Sequence, residues 1–458
     1  MSRPPRVAVI GAGPSGLYAA AALLASETPV EVDVLDRLPA PYGLVRYGVA
    51  PDHIRMKSVI PVLRKPFAVG SRIRFLGNVC LGEHGLVLDT LRRHYHAVIH
   101  ASGSSRDRRL GIPGEDLDGS HGSRALVGWY SGHPDFTALD PRLDHSGVVV
   151  VGAGNVALDI ARVLTRDVAD MARTDVPDHV LKSLQQSSVR DVHVVIRRSP
   201  EHVKFTPPEL RQIGELDDVS VLVHNGGAIA GRAGEPADRR QRQNMRLLDG
   251  WAKAGGQPAR RRIHLHFQRS PVRVAGGDGK VTGVVVERNE IRDGRLVGTG
   301  REETIEAGLV VRAIGYSGEP IGGLPFDEAA GVVPNVAGRV LRDGNVVPGQ
   351  YVTGWIKRGP SGVIGTNKGD AGQTVSSLLA DLAGLPAPAH PEPESITECL
   401  GTLGFDVVAW EHWESLDVEE IRLGRVRGCA ERVKVAGLDA MMRACRTPSE
   451  DRQETAVG

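Results

Sequence analysis

The chain has 458 residues, enough for two or three domains, and its 41% hydrophobic and 24% charged content is that of a globular protein. A formal net charge of +1 and an aromatic content of 4% supply neither the field nor the stacking platforms of a nucleic-acid binder. No stretch approaches the roughly 20 apolar residues of a membrane span, and no apolar signal core opens the chain, so neither a spanning nor a secreted protein is expected.

Arg6 to Ile10 reads as a buried strand, followed by the turn Gly11-Ala-Gly-Pro-Ser-Gly16 and an alanine-rich helix from Leu17 to Ala25. The next strand, Val30 to Leu35, ends at Asp36. A short hairpin is expected near Ile73 to Val87, then a strand from Ala97 to Ile99 and a connection through Ile112-Pro-Gly-Glu-Asp116. About 140 residues after the first unit the pattern restarts, with a strand at Val148 to Val151, the turn Gly152-Ala-Gly-Asn-Val-Ala157 and a helix from Leu158 to Thr165. An inserted stretch, Asp167 to Arg190, precedes the strand Val192 to Ile196, which ends in Arg197-Arg198. Residues 232–256 read as a basic helix, and Ile263 to Phe267, Thr282 to Glu287 and Leu309 to Ala313 as strands. Tyr351-Val-Thr-Gly-Trp355 leads through a glycine-rich turn to a helix expected from Ala371 to Leu382. Pro386 to Pro393 reads as a linker, and helices with a polar tail after Arg446 close the chain. The repeated strand–turn–helix–strand unit predicts an α/β fold with two Rossmann-like nucleotide-binding domains.

The first turn has the glycine spacing of a dinucleotide fingerprint in its proper setting, after a strand and before a helix. Gly11 makes the tight turn, Gly13 lets a pyrophosphate approach the backbone, and Gly16 lets helix pack on strand. Asp36 is placed to accept from a ribose diol. In the second turn Gly152, Gly154 and Ala157 fill the same positions, but the following strand ends in arginines where an NAD site wants a carboxylate. A guanidinium is a planar, permanently charged phosphate clamp, so this site is expected to prefer NADP(H). Cys80, Cys399, Cys429 and Cys445 form no C-x-x-C pair. Neither a redox dithiol nor a metal site is therefore predicted, and the scattered thiols suit a cytoplasmic protein.

Pro41-Tyr-Gly-Leu-Val-Arg46, Gly48-Val-Ala-Pro-Asp-His53, Ile112 to Asp116, Gly152 to Asp159, Phe205-Thr206 with Glu209-Leu-Arg211, and above all Gly354 to Lys368 resemble the adrenodoxin reductase family, in particular its bacterial ferredoxin–NADP+ reductases. The resemblance implies an FAD domain (1–107 and 317–458) interrupted by an NADPH domain (108–316). It sets Ser15, Asp36, Leu44, Leu81, Trp355, Gly362, Val363 and Ile364 against FAD. It sets Arg108, Gly154, Asn155, Val156, Ala157, Arg197, Arg198, Glu209 and Gly362 against NADP(H). His53, Asp159 and Glu209 are the implied polar shell of the reacting rings, and a ferredoxin-type iron–sulfur protein is the implied electron acceptor. The alternative is an electron-input subunit or diaphorase with another acceptor. The exposed arginines Arg239, Arg240, Arg242 and Arg246, with Arg260 to Arg262, are expected to steer an acidic partner. The chain departs from the family at Asp36, where glutamate is usual, and at Gln212, where a second glutamate would pair with His53; the missing charge is expected to lower the His53 pKa relative to such relatives.

Overall fold

Pro14 has no N–H to satisfy, so it can open a helix directly after the Gly11–Gly13 turn. The computed structural model, which describes residues 3–68, 70–224, 238–293, 295–428 and 430–447, accordingly shows β1 (Arg6–Ile10), α1 (Pro14–Leu24) and β2 (Glu31–Leu35) in immediate succession. The helix starts three residues earlier than the sequence reading placed it. The polar tail beyond residue 447, Cys429, and positions 232–237 of the expected basic helix lie outside the described residues.

β1 and β2 pair in parallel at the centre of a seven-stranded sheet. Its order runs 335–336, 339–342, 345–352, β4 (Ala97–His100), β1, β2, then Ile73–Leu76, which is β3. Val7 and Val9 face one hydrophobic cluster while Ala8, between them, faces another, so β1 is apolar at successive positions because both faces are covered. The hairpin expected at Ile73 to Val87 is not formed. β3 pairs in parallel with β2 at the sheet edge, and a turn and the short helix Leu88–Arg92 follow it. The alternating apolar positions after Leu76 serve a loop that packs under Leu35 rather than a return strand.

The chain leaves this sheet through Arg106–Asp107 and returns through Tyr316–Ser317, and these two segments pair antiparallel. Between them lies a second, all-parallel sheet of six strands. Its order is 120–122, 309–312, β5 (Gly147–Val151), β6 (Asp191–Ile196), then 261–267 and 219–224. Val148 and Val150 pack under α2 (Asn155–Thr165), while Val149 and Val151 pack under a three-stranded antiparallel sheet spanning 269–306. The insertion before β6 folds as two short helices, Val168–Met171 and Asp178–Gln185. The Pro386 to Pro393 stretch is not a free linker. Arg6 and Arg74 donate to the carbonyls of Glu392 and Pro393, and Pro393 opens a helix. Among the described residues no helix is long and apolar enough to cross a membrane.

Buried charges join the two sheets. Asp175, near the second sheet, accepts from Lys57 Nζ at 2.7 Å and lies 3.1 Å from Lys434 Nζ, both from segments beside the first sheet. Lys434 Nζ also donates to the carbonyls of Arg46 and Ser131. Burial alone would raise the Asp175 carboxyl, but Lys434 and Lys57 outweigh it and bring it down to about 2. Burial pulls Lys434 the other way, to about 7, yet three acceptors around Nζ leave a neutral amine's lone pair without a donor, which favours the ammonium. Asp175→Asn should lower the unfolding free energy by about 3–5 kcal/mol at neutral pH, because two buried lysines lose their anion. The depressed carboxyl stabilises the fold above about pH 4 and that contribution fades as pH falls towards 2, so urea unfolding of the variant should show a flatter acid limb.

Candidate functional site

The glycines of the first turn divide by what surrounds them. A Cβ on Gly16 would stand 1.9 Å from the Gly11 carbonyl oxygen, and one on Gly11, whose φ is +109°, would stand 2.6 Å from that of Ala101. These two are required by packing. A Cβ on Gly13 would meet nothing nearer than the Cα of Gly43, at 3.9 Å, so the protein's own packing does not demand glycine there. A cradle that a methyl would enter, at the uncapped N-terminus of α1, is the geometry that admits a pyrophosphate. Gly43, at φ +48°, packs against Gly13 and sets Leu44, 43% exposed, beside the turn.

Asp36 ends β2 as expected. Its Oδ2 accepts from the Ala12 N–H at 2.7 Å and its Oδ1 from Leu38 N–H at 2.9 Å, so one lone pair on each oxygen remains for a ribose. Burial pushes the carboxyl up, against these two backbone donors and neighbouring Arg37. The short aspartate arm is thereby tied to the turn itself. Leu81, half-buried, sits on the loop after β3 and packs with Leu35 and Val79.

The 354–368 block wraps onto the same end of the sheet. α4 (Thr366–Asp381) starts with no side-chain cap, after Gly365, and Ser15 Oγ donates to Asn367 Oδ1 at 3.0 Å, so the N-termini of two long helices converge. A Cβ on Gly354 would stand 2.2 Å from Ser15 Oγ, and φ there is +76°. Asp370 holds the block together, accepting from the Gly354 N–H at 2.5 Å and pairing with Lys357 Nζ at 2.8 Å. Trp355 donates through Nε1 to the Ser361 carbonyl and stacks on Tyr316 of the crossing ribbon, with ring centroids 6.2 Å apart. Gly362 has a local reason to be glycine, since φ is +84° and a Cβ would stand 2.9 Å from the Thr366 side chain. Val363 beside it is 74% exposed and Ile364 is half-buried.

The second turn repeats the division. Gly152 is required by packing, because a Cβ would stand 2.3 Å from the Ala313 carbonyl, whereas a Cβ on Gly154 would meet nothing within 4 Å. α2 starts uncapped at Asn155, with Val156 half-buried and Ala157 fully buried against the strands. β6 lies next to β5, and the Gly152 N–H donates to the Val195 carbonyl, which brings Arg197 and Arg198 beside the turn. Both arginines are exposed, and neither guanidinium has an ion-pair or hydrogen-bond partner among the described residues. Asn155 Oδ1 accepts from the Thr206 N–H, fixing the start of α3 (Pro207–Ile213). Glu209, on that helix, is 7% exposed, and its Oε2 has no partner among the described residues. Arg108 follows the first strand of the crossing ribbon, where its Nε donates to the Tyr316 carbonyl at 3.1 Å.

His53 and Asp159 do meet, with His53 Nε2 3.0 Å from Asp159 Oδ1. The direct Gln212–His53 contact expected from the sequence is not made, because Arg162 lies between. Its Nη1 donates to Asp159 Oδ1 at 2.9 Å and to Gln212 Oε1 at 3.3 Å, and its other nitrogens hold Asp52. Arg162 is fully buried by this network. Sequence reading missed it, as it missed Asp52 and Asp370, since a helical arginine or a loop aspartate has no spacing that marks its partner. Asp159 and Asp52 already share Arg162, and an amide at 212 adds no third anion to the cluster.

The profile of the pyridine nucleotide-disulphide oxidoreductases matches residues 5–216. The chain is 42% identical to NADPH-ferredoxin reductase FprA of Mycobacterium tuberculosis, covering 96% of this chain and 99% of that one. It is 38% identical to the mitochondrial NADPH:adrenodoxin oxidoreductase of Arabidopsis thaliana, covering 92% of each. The structure of Mycobacterium tuberculosis FprA in complex with NADPH superposes with a TM-score of 0.91, at 41% identity over 97% of this chain and all of that one.

Proposed function

Because this chain belongs to the pyridine nucleotide-disulphide oxidoreductases, and among them to the adrenodoxin reductase family, we propose that it is an NADPH-dependent ferredoxin reductase with FAD on the first sheet and NADPH on the second. The observation that carries the reading is the uncapped N-terminus of α2 beside two arginines with no partner among the described residues, a site for a nucleotide with one phosphate more than NADH. In this assignment 1–107 with 317–458 hold the flavin and 108–316 the nicotinamide nucleotide. Bound NADPH and FAD would supply hydride donation and the splitting of an electron pair into single electrons.

The residues supply position and electrostatics. The α1 N-terminus and Gly13 take the flavin's pyrophosphate, Asp36 its ribose, and Leu44, Leu81 and Trp355 its apolar surfaces. The α4 N-terminus, behind Gly362 to Ile364, offers a positive end to negative charge arising on the ring system. Gly154 to Ala157 take the second pyrophosphate, and the orphaned Glu209 Oε2 is an acceptor in search of an amide or hydroxyl donor. His53 is held in place by Asp159, and Arg162 anchors Asp159 together with Asp52, the residue before His53. Asp159→Asn should lower kcat with NADPH by about 10-fold through the lost charged hydrogen bond, without altering flavin content.

A ferredoxin-type partner follows from the family. Arg239, Arg240, Arg242 and Arg246 line the exposed side of the helix Arg239–Ala254, while Asn244 and Leu248 face inward. Arg239→Glu with Arg246→Glu should slow ferredoxin-dependent cytochrome c reduction about 10-fold at low salt and leave ferricyanide reduction intact. Ferricyanide reduction with no ferredoxin reduction in the unaltered protein would instead favour the diaphorase reading. A cytoplasmic setting is part of the proposal, supported by the free thiols of Cys80, Cys399 and Cys445.

A further inference from the structure

Strand alternation sorts the segment Arg261–Phe267 cleanly. Ile263, Leu265 and Phe267 point into the core under the helices, so His264 and His266 point to the opposite face. The register sets His264 opposite His193 on β6, and His266 opposite His224 on the segment Val219–His224. Three neighbouring strands therefore bring four imidazoles onto one patch. The His193 and His264 rings stack with centroids 4.3 Å apart, and those of His224 and His266 stack at 4.2 Å. His193 Nδ1 lies 3.0 Å from His266 Nε2, and His224 Nε2 lies 3.0 Å from His264 Nδ1. His266 is 9% exposed and the other three are half-buried.

Packing alone does not account for four stacked imidazoles on a sheet face, where branched aliphatics bury more apolar surface per strand position. We propose that His193, His264 and His266 form a binding site for a divalent transition-metal ion of the zinc class. Each offers one ring nitrogen, and the three nitrogens lie within 4.8 Å of one another. Ligand nitrogens at the 2.0–2.1 Å of a tetrahedral zinc site stand about 3.3 Å apart, so the 3.0 Å His193–His266 separation needs little adjustment. Asp191 Oδ1 lies 2.8 Å from His264 Nε2 and, by accepting its hydrogen, leaves the Nδ1 lone pair, now facing His224 Nε2, for a ligand, as carboxylates do behind metal-ligating histidines. Arg262 in turn holds Asp191 from outside. Each ligand would bind through the lone pair of a neutral imidazole, as metal-bound histidines do. Binding transfers no net proton if the hydrogen now shared between His193 and His266 moves to the outer nitrogen of its ring. An all-imidazole set selects zinc, nickel or copper over magnesium or calcium, which demand oxygen ligands. The ion would cross-link strands joined otherwise through their backbones, and its role would be stability rather than chemistry.

The test uses the FAD-loaded full chain, stripped with chelator and titrated calorimetrically with zinc chloride. One equivalent should saturate, with a rise in Tm, and cobalt(II) should give the intense visible bands of tetrahedral coordination. His193→Gln with His266→Gln should weaken binding at least about 10-fold and abolish those bands, while NADPH–ferricyanide activity confirms that the variant folds. Absence of saturable binding, affinity unchanged in the double variant, or only the weak bands of octahedral cobalt in the unaltered protein would each overturn the proposal. The cobalt spectrum decides the matter even if the variant fails to fold.

Discussion

Replacing Arg197 and Arg198 together with alanine should lower kcat/KM for NADPH by about 100- to 10,000-fold and leave that for NADH unchanged. Among the described residues neither guanidinium beside the second glycine turn has a protein partner, so no ion pair seen there has to be broken before a phosphate is bound. A hydrogen bond to a charged group contributes about 1.5–3 kcal/mol, and two of them span that range of rate. NADH has no 2′-phosphate and so loses nothing. Equal losses with both nucleotides would mean that the arginines support the strand end, where the Arg197 and Arg198 carbonyls accept from Asn289 and Gln268, rather than reading the phosphate.

The second large effect separates two glycines of one fingerprint. Gly16→Ala forces a methyl to within 1.9 Å of a backbone oxygen, so α1 must shift away from β1. Overpacking of this kind costs about 1–3 kcal/mol, or more where backbone must move, and should lower Tm together with flavin content. Gly13→Ala meets only the Gly43 Cα, at an ordinary 3.9 Å, so the apoprotein should melt as the unaltered one does. The same methyl would stand in the proposed approach of the pyrophosphate, and FAD affinity should fall about 10- to 100-fold. Thermal melts of the two apoproteins, followed by FAD titration, read the difference directly. A destabilised Gly13→Ala apoprotein would show that both glycines serve packing.

The two repeated units were legible because each is local. An apolar run, a glycine turn and an amphipathic helix announce themselves within about thirty residues, and both fingerprints lie where the sequence reading put them. What was not legible depends on residues that the fold alone brings together. Asp370 holds a glycine turn sixteen residues away, Arg162 separates Gln212 from His53, and the histidine patch draws on three strands. The pair His264 and His266, alternating on one strand, was the only local signal of that patch. The expected hairpin failed for a related reason. Apolar alternation after Ile73 marks a segment with one buried side, but parallel pairing with β2 is decided by a distant strand.

The passage of electrons from NADPH through the flavin to a ferredoxin-type protein is read in one experiment, anaerobic stopped-flow spectroscopy of the FAD-loaded chain. NADPH should bleach the flavin absorbance rapidly, NADH far more slowly, and added ferredoxin should restore the absorbance as it is reduced. A flavin left unbleached by NADPH, or bleached equally by both nucleotides, would contradict that route.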